Sequence, residues 1–129
     1  MPEPIVFISQ NRIKEGKLDD LKNTYREATE LIKATKPGTV VFLGYINEEA
    51  TEASFVHVFP DQDSFDLHME GVGERVKRAS EFLQTYRYEI YGTPSDRVLE
   101  RMSQFAGSTG AALNARPQPL GGYLRLESG

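Results

Sequence analysis

Apolar positions change their period along the 129-residue chain, and each change marks an element. Pro4 to Arg12 opens as an apolar run and turns polar at Ser9-Gln10-Asn11-Arg12, which predicts a first strand. Between Lys17 and Lys33, Leu18, Leu21, Tyr25, Ala28 and Ile32 recur at alternating intervals of three and four, with charged residues filling the other face. That is the stripe of an amphipathic helix. Asp19 and Asp20 lie in its first turn, where carboxylates complement the helix dipole, and Pro37-Gly38 closes it. Thr39–Asn47 and Ala53–Phe59 are apolar, β-forming runs around the turn Asn47-Glu48-Glu49-Ala50-Thr51, so they predict a hairpin. Phe65, Met69, Val72, Val76, Ala79 and Leu83 make a second helical stripe, N-capped by Asp61. Gly71 and Gly73 disfavour a continuous helix there and predict a break. Thr85 to Thr93 predicts a fourth strand.

The resulting order, βαββαβ, is a ferredoxin-like α+β layout covering residues 4–93. Residues 94–129 have another character and form a C-terminal helix and extended arm, part of the same domain or of a dimer. Ser95 caps a short helix with Val98, Met102 and Phe105 inward. Ala106–Pro119, rich in Gly, Ala, Ser and Pro, reads as the arm. Leu120–Leu126 is strand-like again and needs a sheet edge to pair with, in its own subunit or a neighbour.

The second and third strands are apolar on both parities. Val40, Phe42 and Ile46 alternate with Val41, Leu43 and Tyr45, and Phe55 and Phe59 alternate with Val56 and Val58. Such a sheet is covered on both faces, yet two helices cover one. A second copy covering the other gives a homodimer through the sheet faces.

Composition narrows the chemistry. Fifteen Lys and Arg against nineteen Asp and Glu leave a net charge of −4, which disfavours nucleic acid as a partner. No apolar run is long enough to cross a membrane, and Met1-Pro2-Glu3-Pro4 lacks the basic start of a secretory signal. The absence of cysteine removes disulfides and thiolate chemistry and fits a cytoplasmic protein. No phosphate-binding glycine motif or nucleophile elbow occurs, so no nucleotide cofactor is indicated.

Four features resemble the antibiotic biosynthesis monooxygenase-like family of the dimeric α/β-barrel superfamily. They are Lys14-Glu15-Gly16-Lys17 at the entry to the first helix, Pro37-Gly38 before the second strand, Phe59-Pro60-Asp61 running from strand into helix, and His68 nine residues after Phe59. The resemblance spans residues 4–93. The family often carries Trp where this chain has Phe59, and Glu where it has His57. What the resemblance implies is a dimeric α/β barrel with a small-molecule pocket. It also implies a monooxygenase-like enzyme that needs no cofactor and acts on an aromatic or quinol-like substrate. A non-catalytic ligand-binding dimer and a haem-binding or haem-degrading protein are the alternatives.

Under that reading His68 is the candidate base for a phenol or quinol. Asn11, ending the first strand, and His57, mid-strand between Phe55 and Phe59, orient or polarise the substrate. Tyr45, Phe59 and Tyr88 supply an aromatic wall for substrate binding, and Tyr86 shares a face with Tyr88 on a regular strand. Two histidines without a spaced carboxylate do not make a metal site. Arg75 and Arg78 read as solvated.

Overall fold

A computed structural model of the chain describes residues 3–126. Its elements, in order, are β1 (Ile5–Ile13), α1 (Leu18–Thr35), β2 (Val41–Ile46), β3 (Glu52–Phe59), α2 (Gln62–Met69), α3 (Val72–Ala79), β4 (Leu83–Tyr91), α4 (Asp96–Thr109) and β5 (Ala112–Arg116). They build a ferredoxin-like α+β fold around one five-stranded sheet of order β2-β3-β1-β4-β5. β1 pairs antiparallel with both β3 and β4, β2 pairs antiparallel with β3, and β5 joins β4 in parallel.

Strand alternation sorts the side chains. Ile5, Phe7, Ser9 and Asn11 of β1 are buried beneath the helices, while Val6, Ile8 and Gln10 are half-buried on the opposite face. Ala53, His57 and Phe59 of β3 and Tyr88 and Ile90 of β4 share the helix side. The principal core joins Ile5, Phe59, Phe65, Met69 and Ile90 to Val98, Met102 and Ala106 of α4. The C-terminal helix therefore packs into the same core as the strands. Val6, Ile8, Val41, Leu43, Val56 and Val58 make the second face apolar too, with Leu43 46% exposed. The four helices all pack on the other face.

Local chemistry explains the boundaries. Asp61 caps α2 by accepting from the Ser64 backbone N–H at 2.8 Å. Gly71, at φ 74°, takes the left-handed conformation that breaks the second helical stripe into α2 and α3. Arg75 ties the broken ends together by donating to the backbone carbonyls of His68 and, at 3.1 Å, Glu70. Leu83, the last residue of that stripe, belongs to β4 instead, where it is buried with Leu21 and Ala53.

Three expectations need correction. The last strand is Ala112–Arg116, because α4 runs on to Thr109 and Gly110 then ends it at φ 74°. Of the expected strand Leu120–Leu126, no residue is in a strand and Leu120 and Tyr123 are freely exposed. Tyr86 and Tyr88 do not share a face. A register shift between Gln10 and Asn11 pairs them with Arg87 and Thr85, which leaves Tyr86 as the extra residue of a bulge. Tyr86 then bonds Glu52 on the helix-free side, while Tyr88 is buried against Phe7.

Candidate functional site

A cavity of about 700 Å³ separates the sheet from α1 and α3. Its origin is visible in α1. Leu21 and Ile32 are buried, but Tyr25 and Ala28 between them are half-buried and line the cavity. Phe7, Phe42, Phe55 and Tyr88 form aromatic walls from four different strands.

One end of the cavity holds both histidines. His57 sits between Phe7 on β1 and Phe42 on β2 in the strand register. Its Nδ1 lies 3.1 Å from the Phe7 carbonyl oxygen. A carbonyl only accepts, so Nδ1 carries the proton and Nε2 keeps a bare lone pair. Burial pushes the His57 pKa down to about 4, against the opposing pull of that hydrogen bond. His68, in the last turn of α2, is also buried, with Nδ1 2.8 Å from Thr39 Oγ1. Burial, then the neighbouring His57, Arg75 and Lys36, push its pKa down to about 2. A helix C-terminus ordinarily favours a protonated histidine. Desolvation and cationic neighbours outweigh it here, and both rings are neutral at physiological pH.

Thr39 reaches His68 because of a close backbone approach. A Cβ placed on Gly38 would lie 2.3 Å from Ser64 Oγ, so glycine lets the turn before β2 rest on α2. Behind the pair lies Phe59, stacked on His57 at 6.4 Å and edge-on to His68 at 5.0 Å.

Further along the strands is a polar chain. Thr85 Oγ1 donates to Asn11 Oδ1. Asn11 Nδ2 donates to Ser9 Oγ and to the Ala53 carbonyl, each at 3.2 Å. Both amide protons of Asn11 are thereby engaged, although the residue lines the cavity. Arg75 is half-buried at the cavity wall, not solvated, and burial lowers its pKa. Arg78 is exposed and pairs with Glu27 at 3.1 Å.

The fold thus brings His57, His68, Asn11 and Tyr88 to one cavity. Phe59 is fully buried behind the histidines and does not face the cavity. Tyr45 lies on the other side of the sheet, 59% exposed, because its parity in β2 is opposite to that of Phe42. Sequence reasoning missed Ser9, Thr39, Tyr25, Phe42 and Thr85. Strand parity could have found Ser9 and Phe42; the contact between Thr39 and His68 spans 29 residues and left no local signal. Among the described residues no three His, Cys, Asp or Glu side chains cluster as metal ligands, and no helix is long and apolar enough to cross a membrane.

Solved structures share this architecture. SnoaB from Streptomyces nogalater, a cofactor-independent oxygenase, superposes with a TM-score of 0.56 at 14% identity, covering 72% of this chain and 95% of its own. A protein of Bacteriodes thetaiotaomicron assigned to the antibiotic biosynthesis monooxygenases gives 0.57 at 15%, covering 68% and 85%. The chain has the ferredoxin-like fold of these two proteins. MupZ from Pseudomonas fluorescens gives 0.66 at 16% identity, covering 92% of this chain and 94% of its own. That extent takes in most of the segment beyond residue 93 as well as the ferredoxin-like part. At these identities the likeness is one of fold. No protein-family model and no curated protein matches the sequence.

Proposed function

We propose that the cavity binds a flat, hydroxylated aromatic molecule and that the chain oxidises it with molecular oxygen, with neither metal nor flavin. The observation that carries this reading is the neutral imidazole pair, His57 and His68, buried at one end of an aromatic-walled cavity. Likeness of fold to a cofactor-independent oxygenase supports it.

The chemistry follows from proton affinity. His68 accepts a proton from the substrate, and His57 Nε2 holds the substrate hydroxyl. A base held this far below its ordinary range is weak in an empty cavity. The anion formed beside it favours the imidazolium, and the half-buried Arg75 favours the anion. The electron-rich carbanion tautomer reduces oxygen and forms a carbon hydroperoxide. Loss of water then leaves a carbonyl. A CH2 carbon becomes C=O, and O2 ends as that oxygen and one water. Asn11 acts by holding Ser9 and Thr85, since its amide protons are engaged. Tyr88 walls the substrate, and Phe59 backs the histidines.

A second copy of the chain over the helix-free face would complete the assembly as a homodimer, burying Val6, Ile8, Leu43, Val56 and Val58. Leu120 and Tyr123, exposed on the tail, would extend that contact.

Oxygen uptake by the purified protein on a panel of hydroquinones, naphthols and anthrones tests the reading. Uptake proportional to protein, falling at least about a hundredfold in His68→Ala, supports it. Binding of the same compounds without uptake would make the protein a ligand-binding module.

A further inference from the structure

We infer that Ser9 is a second binding group of the cavity, so that the preferred ligand carries a hydroxyl on one edge and a carbonyl-type oxygen on the opposite edge. This rests on the reading of the cavity as an aromatic-binding site and specifies which aromatic.

The argument is a count of protons. Ser9 is buried and lines the cavity. Its Oγ accepts from Asn11 Nδ2 at 3.2 Å. Asn11 cannot be reversed, because its Nδ2 also donates to the Ala53 carbonyl and its Oδ1 receives the Thr85 hydroxyl. The chain of donors therefore runs one way, from Thr85 through Asn11 to Ser9. The Ser9 hydroxyl proton is left with no acceptor among the described residues. A hydroxyl that already accepts is a stronger donor.

Strand register places this donor against the histidine acceptor. Ser9 faces Phe55 across the β1–β3 pair, and His57 lies two residues further along β3 on the same side. Such diagonal neighbours lie about 7–8 Å apart, with their Cβ atoms somewhat closer. His57 offers Nε2 as an acceptor, because Nδ1 is tied to the Phe7 carbonyl. The sheet floor thus presents one acceptor and one donor, which a fused two-ring ligand with oxygens on opposite edges engages together. Phe55 and Phe42, next to Ser9 and His57 in the register, are aromatic walls of the same cavity.

Two phenols test this. 5-Hydroxy-1-tetralone has a carbonyl on the edge away from its hydroxyl; 5,6,7,8-tetrahydro-1-naphthol has CH2 there. An apolar floor would prefer the second, more hydrophobic compound. Calorimetric titration of the wild-type protein should instead favour the tetralone by roughly three- to tenfold, the value of one hydrogen bond. Ser9→Ala should reverse the preference while leaving tetrahydronaphthol affinity within about twofold. Equal or weaker binding of the tetralone by the wild-type protein overturns the assignment, with no variant needed. So does a preference that survives Ser9→Ala, or failure of both compounds to bind. A tetralone preference without oxygen uptake on any substrate keeps the subsite and removes the oxygenase.

Discussion

The His57 and His68 rings meet edge-on, with centroids 5.2 Å apart and planes inclined at 64°. Their hydrogen-bond partners are a carbonyl and a hydroxyl, not carboxylates, so no ion pair offsets the cost of burying a charged ring. Stability should follow. Above pH 6.5 the rings are neutral folded or unfolded, and stability is fully present. As pH falls, the unfolded chain takes up protons that the folded chain refuses. Stability then declines by about 1.4 kcal/mol per pH unit per histidine until the folded value is reached, about 4 for His57. Urea unfolding between pH 6 and pH 5 should give a slope shallower by about that amount in His57→Gln than in wild type. Identical slopes would mean that water reaches the ring in solution.

Gly38→Ala should destabilise the protein by roughly 1–3 kcal/mol, since the new Cβ meets Ser64 Oγ at 2.3 Å and Cβ at 2.5 Å. Ser64→Gly should absorb part of that cost in a double-mutant cycle. The single variant should also loosen the bond between Thr39 and His68, and an upward move of the His68 titration by NMR would report it. Additive effects of the two substitutions would disprove the contact.

Tyr25 stacks between Phe42 at 5.2 Å and Phe55 at 4.9 Å, but its buried hydroxyl has no hydrogen-bond partner among the described residues. Tyr25→Phe should therefore leave thermal stability unchanged or raise it, by up to about 1–3 kcal/mol. A loss would reveal an acceptor for that hydroxyl.

Leu43 and Tyr45 are 46% and 59% exposed on the helix-free face, so changing them leaves the protomer core intact. If that face joins two copies, Leu43→Glu with Tyr45→Glu should halve the mass seen by light scattering while the circular dichroism stays native. A wild-type protein that is already monomeric would remove the dimer.

Periodicity carries far in this chain. The three- and four-residue spacing of α1, the apolar runs of β2 and β3, the Asp61 cap and the helix break at Gly71 are all local, and each appears where its pattern lies. So is the apolar character of both sheet faces. The misreadings fall where local pattern is silent. Nothing in Thr85–Tyr91 announces a bulge, yet that one extra residue sends Tyr86 to one face and Tyr88 to the cavity. Ala106–Pro119 is poor in apolar signal, so the parallel edge strand at Ala112–Arg116 takes its identity from the neighbouring edge of β4.

The histidines show the same division. Their presence, and the placement of His57 on a strand and His68 on a helix, follow from the sequence alone. That they touch, that both are neutral, and that Ser9 is left with a proton to donate were decided by tertiary structure. Burial, register and hydrogen-bond direction are relations between segments far apart in the chain, and a local pattern holds no information about which polar atom is left over when they meet.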